Sequence, residues 1–130
     1  MVIRIIICRT YAACTSNRIP GASSNTAFIS SSAKIGHGAH VFQGVSLERG
    51  TVLEENVVLN TSCSIHHGTV VGKHSFVSPG ARVLGDCEIG EGTFIGSNAV
   101  ISPGIRVGSN CKIAAGSFLR SNLDDGERNY

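Results

Sequence analysis

Two adjacent histidines, His66 and His67, are the residues of this sequence best suited to proton transfer at neutral pH. An imidazole gains and loses a proton in that range, so it serves as a general base or acid. Three more histidines, His37, His40 and His74, are scattered along the chain. The five cysteines include no Cys-x-x-Cys pair, which argues against a zinc ribbon and a disulfide framework. We therefore expect chemistry without a metal, and reduced cysteines that mostly pack.

The composition excludes several broad classes of protein. Glycine costs a helix about 1 kcal/mol relative to alanine, and 16 glycines in 130 residues therefore disfavour a helical bundle. The net charge of +2 lacks the basic field of a nucleic-acid-binding protein. No apolar run approaches the length of a membrane span, and the run from Val2 to Cys8 is interrupted by Arg4. We expect one cytoplasmic domain that binds neither nucleic acid nor membrane.

The elements that position these residues are set by a six-residue repeat. An aliphatic residue recurs at every sixth position from residue 29 to residue 119, and a small or β-branched residue stands two positions before each of them. Residues two apart on a strand point to the same face, so each hexad directs one larger and one smaller side chain inward. The aliphatic positions are Ile29, Ile35, Val41, Leu47, Leu53, Leu59, Ile65, Val71, Val77, Val83, Ile89, Ile95, Ile101, Val107, Ile113 and Leu119.

A tight corner is predicted once per hexad. Three residues after most of the aliphatic positions stands Gly or Asn, which tolerate positive φ. His74 occupies one of these slots, and we interpret it as a turn residue in the left-handed conformation. The corner that follows Ile65 contains His67, so its side chain is predicted to project outward from the strands.

Short strands and regular corners predict an all-β protein, a parallel β-helix whose triangular coils each consist of three hexads. The sixteen hexads make about five coils, and residues separated by three hexads stack in columns. Gly85 is therefore expected directly above His67, where a side chain would crowd the imidazole. We predict a short N-terminal cap strand and loop over residues 1–24, the β-helix over 25–123 and a polar tail over 124–130.

Several hexads, among them "IGHGAH", "IGEGTF" and "IGSNAV", resemble the hexapeptide-repeat acyltransferases. That resemblance implies a left-handed β-helix and a homotrimer with active sites between subunits. The run from "NTSCSIHHG" to "ISPGIRVG" is similar to the sialic acid O-acetyltransferase and nucleotide-amino-sugar N-acetyltransferase family. The match covers roughly residues 25–119, whereas the family's N-terminal sugar-nucleotide domain has no counterpart in the sequence.

The resemblance implies roles for individual residues. His67 falls on the family's catalytic histidine and would act as general base, while Asn60 or a backbone N–H near Gly85 would stabilise the oxyanion. Ser97 and Ala115, which are one coil apart, match small positions that bind the pantetheine arm. The implied reaction transfers an acetyl group from acetyl-CoA to a hydroxyl or amine of a sugar or nucleotide sugar.

Two positions depart from the family's pattern. The acidic residue expected after the catalytic histidine is Gly68, and a second histidine that contacts acetyl-CoA is replaced by Phe76. Phe76 lies three hexads before Phe94, so the two rings should stack outside the prism and form a cofactor groove wall or a subunit contact.

Two other functions are compatible with such a fold. The departures from the family's pattern keep open a catalytically degenerate trimeric β-helix with a scaffold or interaction role. A metal-dependent carbonic anhydrase is disfavoured because the sequence has no His-x-x-x-x-His.

Overall fold

In a computed structural model, which describes residues 22–130, the chain forms eighteen strands of two residues each. Each strand is short because the second residue of its pair turns inward and the next corner begins directly after it. The strands are β1 (Ala22–Ser23), β2 (Phe28–Ile29), β3 (Lys34–Ile35), β4 (His40–Val41), β5 (Ser46–Leu47), β6 (Val52–Leu53), β7 (Val58–Leu59), β8 (Ser64–Ile65), β9 (Val70–Val71), β10 (Phe76–Val77), β11 (Arg82–Val83), β12 (Glu88–Ile89), β13 (Phe94–Ile95), β14 (Val100–Ile101), β15 (Arg106–Val107), β16 (Lys112–Ile113), β17 (Phe118–Leu119) and β18 (Arg128–Asn129).

The strands make three parallel sheets, which are the three faces of a prism. Sheet A has the order β1-β4-β7-β10-β13-β16-β18, sheet B is β2-β5-β8-β11-β14-β17, and sheet C is β3-β6-β9-β12-β15. Most strand residues pair with the residue three hexads along, as Phe76 pairs with Phe94. The described residues make about six turns, so the prediction of an all-β, left-handed parallel β-helix is confirmed.

The ladder of strands extends past both ends of the predicted 25–123 range. β1 pairs with β4 at the start, and β18 pairs with β16 at the end. The last turn is shorter than the others, because Arg128 and not residue 130 pairs with Lys112. Main-chain hydrogen bonds sustain this rung without an aliphatic residue, which is why the hexad pattern does not reveal it. The predicted cap strand lies mostly outside the described residues.

The interior of the prism holds the predicted large and small side chains. Leu59, Ile65 and Ile95 are fully buried, as are the small-slot residues Cys63 and Ala81. Polar residues in the small slots bond to the next coil: the Thr93 hydroxyl donates to Gly108 O at 2.8 Å and accepts from Cys111 N at 3.2 Å. These buried hydroxyls therefore have hydrogen-bond partners. Aliphatic and small side chains fill the interior of the prism, so no aromatic side chain is needed there.

The corners lie along three edges of the prism, named for the sheets they join. The AB edge contains residues 60–62, 78–80, 96–98 and 114–116; the BC edge contains 48–50, 66–68, 84–86 and 102–104; the CA edge contains 54–56, 72–74, 90–92 and 108–110. One residue in most corners has positive φ, including His74 at 58°, as predicted from its slot. Residues at equivalent positions in successive corners of one edge therefore lie next to each other on the same side of the prism.

Burial predicts that Cys63 is chemically inert in the folded protein. Desolvation raises the pKa of its thiol to about 12, and burial raises the pKa of Cys87 as well. Because the thiolate is the reactive form, a maleimide should label neither residue in the native state and both in denaturant. Peptide mapping by mass spectrometry reads out each site separately. Rapid native labelling of Cys63 would contradict the packed interior.

Candidate functional site

His67 projects from the BC edge as the sequence predicts. The preceding Ile65 ends β8 and is fully buried, which anchors the corner from inside the prism. The His67 side chain is 47% exposed, so a reactant can reach its imidazole. His66 lies beside it and is 31% exposed. The two adjacent imidazoles are therefore held at one corner and open to solvent.

A single carboxylate from the coil below contacts both imidazoles. Glu48 Oε1 lies 3.1 Å from His66 Nδ1, and Glu48 Oε2 lies 3.4 Å from His67 Nδ1. The backbone N–H of His67 also donates to Glu48 Oε2, at 2.8 Å. This backbone donor, followed by the neighbouring imidazoles, holds the pKa of Glu48 below its usual value against the opposing effect of desolvation. Glu48 is consequently ionised at neutral pH.

A second carboxylate approaches His67 from the coil above. Asp86 Oδ2 lies 3.7 Å from His67 Nε2, and the Asp86 side chain is 74% exposed. Gly68 lies below Asp86 in the same column and has a φ of 69°. A Cβ at Gly68 would collide with the Asp86 carboxylate. The space that a side chain at position 68 would need is thus filled by an acid from the next coil.

Gly85 makes room for the imidazole of His67. A Cβ at Gly85 would lie 2.6 Å from both Cε1 and Nε2 of His67, closer than real contacts allow. Gly85 is not among the residues with positive φ, so glycine is needed here for space and not for backbone conformation. The predicted stacking of Gly85 over His67 is confirmed.

Three other predicted site residues, Asn60, Ser97 and Ala115, lie along the AB edge. Ser97 and Ala115 line a surface groove of about 300 Å³, together with Phe94, Gly96, Lys112 and Tyr130. Asn60 begins a lower corner of the same edge, and its Oδ1 accepts from Thr61 N at 2.7 Å and from the Thr61 hydroxyl at 3.3 Å. Within one chain, the structure therefore brings Asn60, Ser97 and Ala115 to one edge and His67 and Gly85 to the next.

Aromatic residues continue this groove across sheet A. The rings of Phe76 and Phe94 stack with centroids 5.6 Å apart and planes at 10°, as their separation of three hexads predicts. Phe94 is 43% exposed. The stack forms an apolar wall between the lower coils and the groove.

Sequence reasoning missed the acids around His67. Glu48 stands three hexads before His66 in the sequence, but this spacing gives no sign that the carboxylate also reaches His67. Asp86 occupies a corner slot in which Gly or Asn was expected, and its φ is 57°. An acid in a left-handed slot one coil above Gly68 is the signal that would have revealed it.

Neither a metal cluster nor a membrane-spanning helix occurs in the part of the chain that the structure describes. No three His, Cys, Asp or Glu residues among residues 22–130 are grouped so as to hold a metal ion. Across the same range no helix is long and apolar enough to cross a membrane.

The contact between Gly85 and the imidazole predicts the outcome of Gly85→Ala. The added methyl should turn the His67 ring away and lower stability only slightly, by about 1 kcal/mol or less, since the ring is half exposed. Changed ring ¹H–¹⁵N shifts for His67 would report the movement, and thermal unfolding would report the stability. In a His67→Ala background the same substitution should cost nothing further. An unmoved ring would contradict the contact.

Comparisons with known proteins agree with this fold. Residues 86–121 match the family model for the bacterial transferase hexapeptide (six repeats). Among curated protein sequences, none matches the chain significantly.

Solved structures supply closer comparisons. The acetyltransferase domain of PglB from Neisseria gonorrhoeae, in complex with acetyl coenzyme A, is 31% identical with a TM-score of 0.84, over 85% of this chain and 54% of that one. PerB from Caulobacter crescentus, in complex with CoA and GDP-perosamine, is 25% identical with a TM-score of 0.82, over 83% of this chain and 52% of that one. WeeI from Acinetobacter baumannii, at 20% identity and a TM-score of 0.80 over 83% of this chain and 53% of that one, shares the fold.

The chain spans about half the length of these solved proteins. The repeat in residues 86–121 and the shared solenoid fold make the chain similar to the hexapeptide-repeat transferases. The resemblance to the hexapeptide-repeat acyltransferases that the sequence predicts is therefore confirmed.

Proposed function

We propose that the protein is an acetyl-CoA-dependent acetyltransferase that acts on a hydroxyl or amine of a sugar or nucleotide sugar, with His67 as general base. The observation that carries the proposal is the half-exposed imidazole of His67, seated in the space left by Gly85. The similarity to PglB and PerB, which were solved with acetyl coenzyme A and with CoA and GDP-perosamine, supports the choice of donor and acceptor class.

The reaction needs one proton removed and one returned. In the proposed step, Nε2 of His67 takes the proton of the acceptor O–H or N–H as the acceptor attacks the thioester carbonyl. The tetrahedral intermediate then collapses, the carbon–sulfur bond breaks, and the imidazolium gives its proton to the departing CoA thiolate. Because Nδ1 faces Glu48, Nε2 is the nitrogen that is oriented for this exchange.

The oxyanion of that intermediate needs a hydrogen-bond donor. Asn60 is a candidate, since its Oδ1 is occupied by Thr61 and its Nδ2 has no partner among residues 22–130. The Gly85 backbone N–H is a second candidate because Gly85 stacks directly over the imidazole. One such donor contributes on the order of 3 kcal/mol to transition-state stabilisation.

The groove on the AB edge suits the pantetheine arm of CoA. Ser97 and Ala115 are one coil apart, so a ligand along the prism meets both. Lys112 lines the same groove and offers a cation to a CoA phosphate. The stacked rings of Phe76 and Phe94 offer an apolar wall to its methylene groups. We propose Gly85, Ser97, Ala115 and Phe76 as residues around the bound donor.

A site that uses both edges requires a second copy of the chain. Sheet B separates the AB edge from the BC edge, so His67 and the groove of the same prism do not share one cleft. Pairing the BC edge of one copy with the AB edge of another would join them. A heterologous pairing of this kind closes into a ring only when its rotation allows, and the homotrimer with sites between subunits that the resemblance implies is one such ring.

Removing the proposed base should greatly slow acetyl transfer. His67→Ala is expected to lower kcat by about 10²–10⁴-fold, since that is the range of general-base catalysis. The measurement is the release of CoA from acetyl-CoA, followed by chromatography for each acceptor in a panel of amino sugars and nucleotide sugars. His40→Ala, on sheet A, is the matched control and should retain activity. Full activity in His67→Ala would exclude this residue as the base.

Filling the groove should block the donor and spare the fold. Ala115→Leu is expected to raise the Kd for CoA at least about tenfold, equal to about 1.4 kcal/mol, because the leucine occupies the groove. Titration calorimetry measures the Kd. Glu91→Leu, an exposed corner residue on the CA edge, is the control and should leave binding unchanged. Equal binding by wild type and Ala115→Leu would refute this groove as the CoA site.

A non-catalytic trimeric scaffold is the second candidate function. It is favoured by Gly68, which stands where the resembled family has an acid, and by Phe76 in place of a histidine. A trimer in solution that binds no CoA at millimolar concentration would support this function over the first.

A further inference from the structure

The acid missing beside His67 in the sequence is present in space, on the neighbouring coil. Glu48 belongs to the corner one coil below, and its Oε2 lies 3.4 Å from His67 Nδ1 while accepting the His67 backbone N–H at 2.8 Å. Its side chain is 38% exposed, so solvent reaches it without separating it from the ring. The carboxylate thus meets both the backbone and the imidazole of one residue.

One of these contacts is a general feature of the corners. Glu54 makes the same backbone contact on the CA edge, where its Oε2 accepts the Lys73 N–H at 3.0 Å. Both glutamates reach the residue 19 positions along the chain, so capping an outward N–H explains their shared geometry. The contact to an imidazole is what separates Glu48 from Glu54. The chain therefore contains its own control for the capping role.

The second imidazole, His66, lies beside the other oxygen of the carboxylate. Ser64 Oγ lies 3.3 Å from His66 Nε2, and His66 Nδ1 lies 3.1 Å from Glu48 Oε1. The contact between His66 Nδ1 and Oε1 is one of proximity and charge, whereas the hydrogen bonds to the Glu48 carboxylate come from His67. The oxygen that faces His67 is Oε2.

Position 68 has a left-handed φ of 69° and is occupied by glycine, so it supplies no acid to His67. Asp86 fills the space above Gly68, and a side chain at Gly68 would collide with it. Asp86 itself lies toward Nε2, at 3.7 Å, which is the nitrogen that meets the acceptor. Only Glu48 lies toward Nδ1 of His67 among the carboxylates of residues 22–130.

We propose that Glu48 is the positioning residue of His67: it accepts a hydrogen bond from Nδ1–H, holds the neutral ring in the Nδ1–H tautomer and leaves Nε2 free to take a proton from the acceptor. The inference rests on the proposed function for its catalytic meaning. Its geometric content, a tautomer set by a carboxylate from the coil below, stands independently of the acceptor. The charged groups around the ring are Glu48, His66, Asp86 and Arg49, whose corner lies directly beneath.

The experiment compares Glu48→Ala with Glu54→Ala. Long-range ¹H–¹⁵N spectra of the full chain at about pH 8, where an ordinary imidazole is neutral, report the tautomer of each histidine ring. In wild type and Glu54→Ala, His67 should show a protonated Nδ1 and a bare Nε2. In Glu48→Ala, the two ring nitrogens should approach averaged shifts. Both variants lose one corner cap, so their midpoints of thermal unfolding should fall by similar amounts.

Activity provides the second reading. Glu48→Ala should lower kcat for acetyl transfer on the order of 10–100-fold while the KM for acetyl-CoA stays unchanged, and Glu54→Ala should leave both unchanged. Glu48→Gln keeps an oxygen that accepts the His67 backbone N–H and removes the negative charge. Its kcat should therefore lie between those of Glu48→Ala and Glu54→Ala. The pH profile of kcat should shift in Glu48→Ala and stay in place in Glu54→Ala.

Several results would overturn the proposal. An unchanged His67 tautomer in Glu48→Ala excludes the positioning role, even if acetyl transfer by His67 is established. An equal loss of kcat in Glu54→Ala reduces Glu48 to a corner cap. If wild type transfers no acetyl group to any acceptor, the proposed function fails, and the spectra still decide whether Glu48 sets the tautomer.

Discussion

The hydrogen bonds between successive coils are the constraint on which the rest of this structure depends. Each strand donates and accepts within a parallel ladder, as Phe76 N does with Thr93 O at 2.9 Å and Ser78 N does with Ile95 O at 2.9 Å. Because strands lie about 4.8 Å apart, a residue has its neighbour from the next coil directly above it. Side chains far apart in sequence become close contacts without any long-range loop.

This geometry explains how the site is built from single residues of several coils. His67 receives Glu48 from below, while Gly85 and Asp86 approach it from above. Each of these residues occupies an ordinary corner slot, so no special loop or bulge is needed. The same geometry allows a carboxylate from a neighbouring coil, instead of one next to His67 in the sequence, to reach the His67 imidazole.

The sequence predicts the fold almost completely and the site only in part. Hexad spacing predicts strands and inward faces because both depend on backbone period and side-chain size, as Ile65 and Cys63 illustrate. The same columns predict the stack of Phe76 on Phe94 and the place of Gly85 above His67. These contacts involve short or rigid side chains that stay near their own column.

The contacts of long side chains are harder to predict from the hexad spacing. The Glu48 side chain extends out of its column toward His67, in a direction that depends on rotamers and on the neighbouring His66. The last rung is missed for another reason, since its shorter offset breaks the period.

The three edges of the prism have the same backbone and different chemistry. An insertion or deletion of three whole hexads would therefore keep every later residue on its own edge and change the number of coils. A change of one hexad keeps the repeat pattern and the core intact, yet it rotates all later corners by one edge. Such a chain would still fold as a β-helix. If the change lay between His67 and Gly85, however, Gly85 and Asp86 would lie on a different edge from His67. In this architecture, descent by repeat duplication can preserve stability and dismantle a site in a single step.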